Sequence, residues 1–305
     1  MTVPIFITSG DMLADRRYAL ARDYAADGDI AAAADLYAQA VELAPGFASA
    51  WFALGEARET LGDRDGARAA FEKAQGADPE DRHGAALHLA RLGAADPATR
   101  ELYSYVRTLF DQYAPRFDRA LEDLGYRAPA LLRDAVIANA DGRRFGTMLD
   151  LGCGTGLAGA AFRPHADWLV GVDLSPKMIE EARRKGVYDS LTIGDIAQFL
   201  SQQQAAGSSA DLIIAADVLA YIGDVGAVCE AVARVLAPNG LFGFTVETHA
   251  GEGAIVGAKM RYQHGEAFVR GALADAGLVI RRLDAVSTRN ENRVPVPGLL
   301  VIVGR

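Results

Sequence analysis

Cysteine is nearly absent from this sequence, with only Cys153 and Cys229 in 305 residues. Two thiols with no Cys-x-x-Cys pair exclude a disulfide scaffold and a structural zinc knuckle. Histidine is scarce too. Of the five, His83 and His88 are five positions apart, on different faces of a helix, so no metal site is expected. Positive charge is in deficit: 31 Lys and Arg stand against 40 Asp and Glu, a net charge of -9. That balance supplies no phosphate-attracting field and removes nucleic acid from the expected partners. Apolar runs are strand-sized, as at residues 299–303, and none approaches the roughly 20 residues of a membrane-spanning helix. Residues 1–10 lack the basic head and apolar stretch of a secretory signal, so a cytoplasmic protein with no membrane partner is expected. What the chain does have is bulk. Half of its residues are apolar and 23% are charged, which is enough chain for about two packed domains.

Residues 1–95 are rich in alanine, show no strand alternation and repeat themselves. Pro45 and Pro79 stand 34 residues apart, each closing a helical pair. Counting back from each proline matches Leu20 with Leu54, Ala21 with Gly55, Ala33 with Ala67, Tyr37 with Phe71 and Ala40 with Ala74. These residues resemble the tetratricopeptide repeat, whose small positions let two antiparallel helices approach while the bulky ones fill the space between them. The resemblance implies a small all-α domain over 1–95, with repeats at 14–47 and 48–81 and a cap helix in 82–92. Trp51 stands where that family often carries tryptophan. Arg17 takes the place in the first repeat, as befits a terminal unit with a solvated face. The inner-face positions would be Asp15, Tyr18, Arg22, Ser49, Phe52, Glu56 and Glu59, a surface of mixed charge without a basic clamp. Such a pair would serve a protein partner, self-association, or simply docking.

A linker is expected at 93–97, followed by a helix on which Leu102, Val106, Leu109 and Tyr113 recur at helical spacing until Ala114-Pro115 breaks it. A second helical region carries Leu121, Leu124, Leu131, Leu132, Val136 and Ile137. Beyond Asp141-Gly142 the pattern changes. Apolar runs at 147–151, 168–172, 191–193, 212–216 and 241–246 alternate with amphipathic segments such as 177–185 and 225–236. The alternation predicts an α/β domain over 100–305: a doubly wound, mainly parallel sheet covered on both faces. Residues 278–286 and 299–303 have only a polar loop between them, so the seven-stranded sheet should finish with an antiparallel pair at or near its edge.

Open parallel sheets bind ligands beyond the carboxyl ends of their strands, so the residue after each apolar run is the informative one. The first run is followed by Asp150-Leu-Gly-Cys-Gly-Thr-Gly156, whose glycines permit a tight turn and close approach of a ligand to bare backbone. Asp173 follows the second run, Asp195 the third and Asp217 the fourth. Four acidic ends describe a crevice suited to hydroxyls, amines and a cation. Gly154, Gly156 and Gly159 also satisfy G-x-G-x-x-G, with Asp173 19 residues past the first, as in a nicotinamide enzyme. Asp150 just ahead of the glycines would repel a pyrophosphate and favours a sulfonium-bearing nucleoside.

Over roughly 102–305 these motifs resemble the class I S-adenosylmethionine-dependent methyltransferases, which implies a Rossmann-like fold. The whole, repeats included, resembles a bacterial group of predicted methyltransferases containing such repeats. The resemblance implies that Asp150, Gly152, Gly154 and Gly156 surround the methionine part of the cofactor S-adenosylmethionine and that Asp173 takes the ribose hydroxyls. Leu174 and Met178 would flank the adenine, Asp195 would accept from its exocyclic amine, and Ile196 would cover the ring. Asp217 would open the segment facing the methyl group. The stretch Phe110-Asp-Gln-Tyr-Ala-Pro-Arg-Phe-Asp118 resembles an aromatic-acidic lid, with Tyr113 as its cofactor contact. Tyr221 and His264 are the candidate catalytic residues, and Arg261 and Arg293 the candidate holders of an anionic acceptor. The function implied is in-line methyl transfer to a small molecule such as a thiol, hydroxyl or carboxylate. The alternatives are a protein methyltransferase that recruits substrate through the repeats, and a non-catalytic interaction protein with a cofactor-sensing domain.

Overall fold

The computed structural model describes residues 5–94 and 99–305, so most of the linker expected at 93–97 lies outside the described residues. The chain forms two compact units, Met1–Leu109 and Phe110–Arg305. Among the described residues no helix is long and apolar enough to cross a membrane.

Among the described residues five helices lie wholly within the first unit: α1 (Met12–Ala26), α2 (Ile30–Leu43), α3 (Ala48–Thr60), α4 (Arg64–Ala77) and α5 (Ala85–Arg91). The same turn joins α1 to α2 and α3 to α4. In each, a glycine at positive φ (Gly28, +88°; Gly62, +84°) precedes an aspartate that caps the next helix, Asp29 or Asp63. Glycine takes that conformation without strain, and the carboxylate satisfies a free N–H of the first turn. The matched small positions are buried, Ala33, Ala40 and Ala67 fully so. Gly55 shows why they must be small, since a Cβ there would lie 2.6 Å from the Phe71 ring. Tyr18 and Tyr37 pack 5.5 Å apart between the first pair of helices, and Phe52 and Phe71 pack 5.5 Å apart between the second.

A helix α6 (Thr99–Tyr113) leads into the second unit, where α7 (Phe117–Asp123) and α8 (Ala128–Ala138) precede the sheet. The alternation then runs β1 (Phe145–Leu151), α9 (Leu157–Phe162), β2 (Ala166–Asp173), α10 (Pro176–Lys185), β3 (Ser190–Ile193), α11 (Ile196–Ala205), β4 (Ala210–Ala215), α12 (Val225–Val235) and β5 (Leu236–His249). A short hairpin, β6 (Ala254–Val256) and β7 (Tyr262–Gly265), leads to α13 (Glu266–Asp275) and β8 (Val279–Val286). A two-residue pair, β9 (Asn290–Glu291) and β10 (Val294–Pro295), comes before β11 (Gly298–Gly304). The strand order is β3-β2-β1-β4-β5-β11-β8, with β7 and β6 attached beyond the end of β5. The first five strands are parallel, and β11 lies antiparallel between β5 and β8. This is the expected α/β sheet with its antiparallel last strand.

Alternate residues of β4 enter different cores. Leu212 and Ile214 join Met148, Leu169 and Leu132 on one face, and Ile213 and Ala215 join Leu151, Phe199 and Val232 on the other. Burial on both sides explains why these strands read as unbroken apolar runs. Residues 236–240 begin β5 itself, with a register shift against Ala210 and Leu212 and positive φ at Asn239 absorbing the irregularity. The candidate His264 lies on β7. The sheet reverses its direction of growth between β1 and β4, and open α/β sheets take their ligands at such a point, beyond the carboxyl ends of the strands.

Candidate active site

The glycine turn leaves β1 with Gly152, Gly154 and Gly156 all at positive φ. A Cβ on Gly152 would run into Val218, which follows β4, and one on Gly156 would lie 2.9 Å from the Tyr188 ring. The turn is pinned to its neighbour: Cys153 N–H donates to the Val172 carbonyl at 2.9 Å, and Gly154 N–H donates to Asp173 Oδ2 at 2.8 Å. Asp173 Oδ1 accepts from Ser175 N–H at 2.8 Å. Asp150 and Asp173 therefore sit on either side of one turn.

Both carboxylates are under electrostatic pressure. Asp150 is 1% exposed, and its pKa is raised to about 7 by burial first, with the Asp173 charge adding to the rise. Asp173 is raised to about 6, again chiefly by burial. Against this, Asp150 Oδ2 accepts from the Tyr188 hydroxyl at 2.6 Å, while its buried Oδ1 has no hydrogen-bond partner. Tyr188 carries no motif and sequence reasoning missed it. Its ring occupies the space left by three glycines, since a Cβ on Gly156, Gly159 or Gly171 would strike it.

The adenine-side candidates lie on the next two loops. Leu174 is half-buried, and Met178 is fully buried with its N–H held by Ser175 Oγ, the cap of α10. Asp195 caps α11 through Gln198 N–H at 2.9 Å, and Ile196 beside it is 8% exposed.

The segment 110–118 covers the glycine turn. The edge of Phe117 lies 3.7 Å from the point where a Cβ on Gly154 would stand. Tyr113 and Phe110 each pack edge-on to Phe117 at 6.0 Å, and Phe110 also meets Tyr221 at 5.1 Å. Two carboxylates fasten the cover. Asp118 accepts from Thr155 Oγ1 at 2.5 Å and pairs with Lys185 at 2.6 Å, and Asp111 accepts from Ser175 Oγ at 2.6 Å. The quoted stretch contained Phe110, Asp111, Phe117 and Asp118, but only Tyr113 was singled out.

Asp217 departs from the expected crevice of four free carboxylates. At φ 57° its side chain turns to Thr245 Oγ1 (2.7 Å), Thr288 Oγ1 (2.8 Å) and Arg289 (2.7 Å). Arg289, 7% exposed, also donates to Glu247 and, at 3.2 Å, to Glu291. Arg261 donates to the same two glutamates, at 2.5 Å to Glu247, so it is not free to hold an anionic acceptor; Arg293 is exposed. Burial works against the Arg289 charge, yet the surrounding Asp217 and Glu247 carboxylates raise its pKa. Tyr221 stands beside this network, and burial raises its phenol, so it remains protonated. His264 is 0% exposed, with Nε2 2.9 Å from the Ile222 carbonyl and a buried Nδ1 that lacks a partner. Burial lowers its pKa, so it is a neutral imidazole donating through Nε2 and bracing the turn that carries Tyr221.

Comparison with known proteins defines the class. A family described as a methyltransferase domain matches residues 149–242, and a tetratricopeptide repeat family matches residues 18–82. Methyltransferase-like protein 27 of Homo sapiens is 33% identical over 145 residues, covering 46% of this chain and 57% of that protein. The magnesium-protoporphyrin O-methyltransferase of Synechocystis is 32% identical over 173 residues, covering 51% of this chain and 74% of that protein. A crystal structure of magnesium protoporphyrin IX methyltransferase from Synechocystis, with bound SAM, shares the fold at TM-score 0.51 and 23% identity, covering 70% of this chain and 99% of that one. The chain spans about half the length of the first curated relatives it matches. It belongs to the class I S-adenosylmethionine-dependent methyltransferases.

Proposed function

We propose that the protein transfers the methyl group of S-adenosylmethionine to a small molecule. The observation that carries the reading is the aromatic cover, Phe117 on the glycine turn and Phe110 on Tyr221, which would close over a small acceptor rather than a polypeptide. The crevice fits this cofactor in two respects. Asp150 is a buried carboxylate and Asp173 a half-buried one, with no cation paired to either among the described residues, and at Gly154 a Cβ would meet only the edge of Phe117, so the turn bares its backbone there. The cofactor supplies an already activated methyl group on a sulfonium. Asp150 would hold the amino group, Asp173 the ribose hydroxyls, and Leu174, Asp195 and Ile196 the adenine, with the fully buried Met178 packed beneath them rather than in contact. Phe110, Tyr113 and Phe117 would exclude water. Tyr221, kept as a phenol, would donate a hydrogen bond to the acceptor rather than take its proton. With His264 committed to Ile222, the pair supports a thiolate or carboxylate over an alcohol, which would need a base.

Purified protein incubated with labelled S-adenosylmethionine and cell extract should label the low-molecular-mass filtrate. Label found only in retained protein would overturn the small-molecule reading. It would favour the second reading, recruitment of a protein acceptor through the repeats. In that case deletion of residues 1–95 should abolish labelling without weakening cofactor affinity.

The raised carboxylates give this reading a pH signature. Below about pH 7 the free protein holds Asp150 protonated, and below about 6 Asp173 as well, while a cationic, hydroxyl-rich ligand wants both ionised. Affinity for S-adenosylhomocysteine should therefore be flat above pH 7.5 and fall roughly a hundredfold by pH 5.5. Stability moves the other way. These two groups have folded pKa values above the unfolded 3.8, so what they contribute to stability increases as pH falls from 8 toward 5. Tyr188→Phe removes the hydrogen bond that favours the ionised Asp150 and should move the midpoint of the affinity profile up by about one pH unit. Calorimetric titrations across this range test both expectations, and an unmoved midpoint would remove Tyr188 from the site.

A further inference from the structure

Ahead of α1, residues 5–9 form no helix, strand or turn and lie on the helical unit, alternately half-buried and exposed with the period of two of an extended chain. Ser9 donates to Asp15 on α1 from both its N–H (2.9 Å) and its hydroxyl (2.7 Å), and Thr8 Oγ1 donates to the same carboxylate at 2.5 Å. Two residues back, the partner is on α3: Ile7 N–H donates to Ser49 Oγ at 2.8 Å, and Ser49 Oγ lies 3.1 Å from the Ile7 carbonyl. Ser49 Oγ also lies 3.1 Å from Nε2 of His83, in the turn before α5. Positions 9 and 7 thus step from the first helix to the third. Next to Ile7, Phe6 lies on Tyr18 (5.4 Å) and Phe47 (6.2 Å). Asp15, Tyr18 and Ser49 are all inner-face positions of the repeats.

We infer that this face is a receptor for an extended peptide and that residues 5–9 are an internal occupant which a partner segment must displace. The partner chemistry is read from the occupant: an aromatic residue, an aliphatic residue whose backbone meets Ser49, then two hydroxyl residues that meet Asp15. The occupant is held loosely enough to be displaced. Phe6 remains 48% exposed, and the polar ties run to only two side chains, Asp15 and Ser49. Gly10, at φ +81° with open space around it, joins the segment to α1, so it can swing away without disturbing the Asp11 cap.

The test uses the full chain and a fluorescein-labelled peptide, Ile-Phe-Ile-Thr-Ser-Gly, followed by anisotropy. The double variant Phe6→Ala/Ile7→Pro removes the ring contact and the N–H that meets Ser49, freeing the face. It should bind the probe at least tenfold more tightly than the unaltered chain, and adding Ser49→Ala should remove the gain. In the unaltered chain the Ile7 amide should exchange with deuterium at least tenfold faster than the amides in the middle of α1. A double variant that keeps its melting temperature but ignores the probe overturns the proposal. So does one that unfolds, because the segment is then part of the fold. Dimerisation of the unaltered chain that Ile7→Pro abolishes overturns it in favour of exchange between copies.

Discussion

Asp173→Ala should lower affinity for S-adenosylhomocysteine by about two to three orders of magnitude while the protein stays folded. The half-buried carboxylate already spends one lone pair of Oδ2 on Gly154 N–H and one of Oδ1 on Ser175 N–H. Each oxygen keeps another for a ribose hydroxyl, and hydrogen bonds to a charged acceptor are worth about 1.5–3 kcal/mol each. Alanine loses those bonds and also unties the glycine turn from β2, so ligand contact and preorganisation fail together. Isothermal titration at pH 8, where the carboxylate is ionised, gives the comparison. A loss of less than about tenfold would mean that the ribose is held elsewhere.

Arg289→Met should be the most damaging single change to the second unit, costing about 3–5 kcal/mol and lowering Tm by roughly 10 °C. The guanidinium reaches Asp217, Glu247 and Glu291 from a site only 7% exposed. Methionine replaces only the aliphatic stem and leaves three carboxylates crowded, with Arg261 pairing Glu247 and Glu291 but not Asp217. Lysine should recover only part of the loss, because a single ammonium cannot serve three acceptors arranged around a planar fork. A denaturant melt followed by circular dichroism reads the effect, and a change below about 1 kcal/mol would mean that water compensates the network.

The fold was largely legible because both units declare a period. Proline at 45 and 79 marks one, and apolar runs ending in aspartate mark the other. Much of the candidate crevice was legible for a related reason: residues 150–156, 173–178 and 195–196 are continuous stretches at strand ends, so local pattern and spatial position coincide. What escaped were contacts between distant residues of ordinary type. Arg289 meets Asp217 across 72 positions, and Tyr188 meets Asp150 across 38. No spacing rule links either pair, and only the completed sheet brings them together. His264 shows the converse limit. Its place before a helix allowed a free base, but burial on β7 and the bond to Ile222 commit it to bracing a turn.

The position of β11 has a consequence for how the second unit comes into being. Strands β5 and β8 each pair with β11 and not with each other. During synthesis β1 to β5 can pair before β11 is made, whereas β8 gains its strand partner only once residues 298–304 follow it. The half of the sheet that bears the glycine turn can therefore form before the half that supplies Arg289.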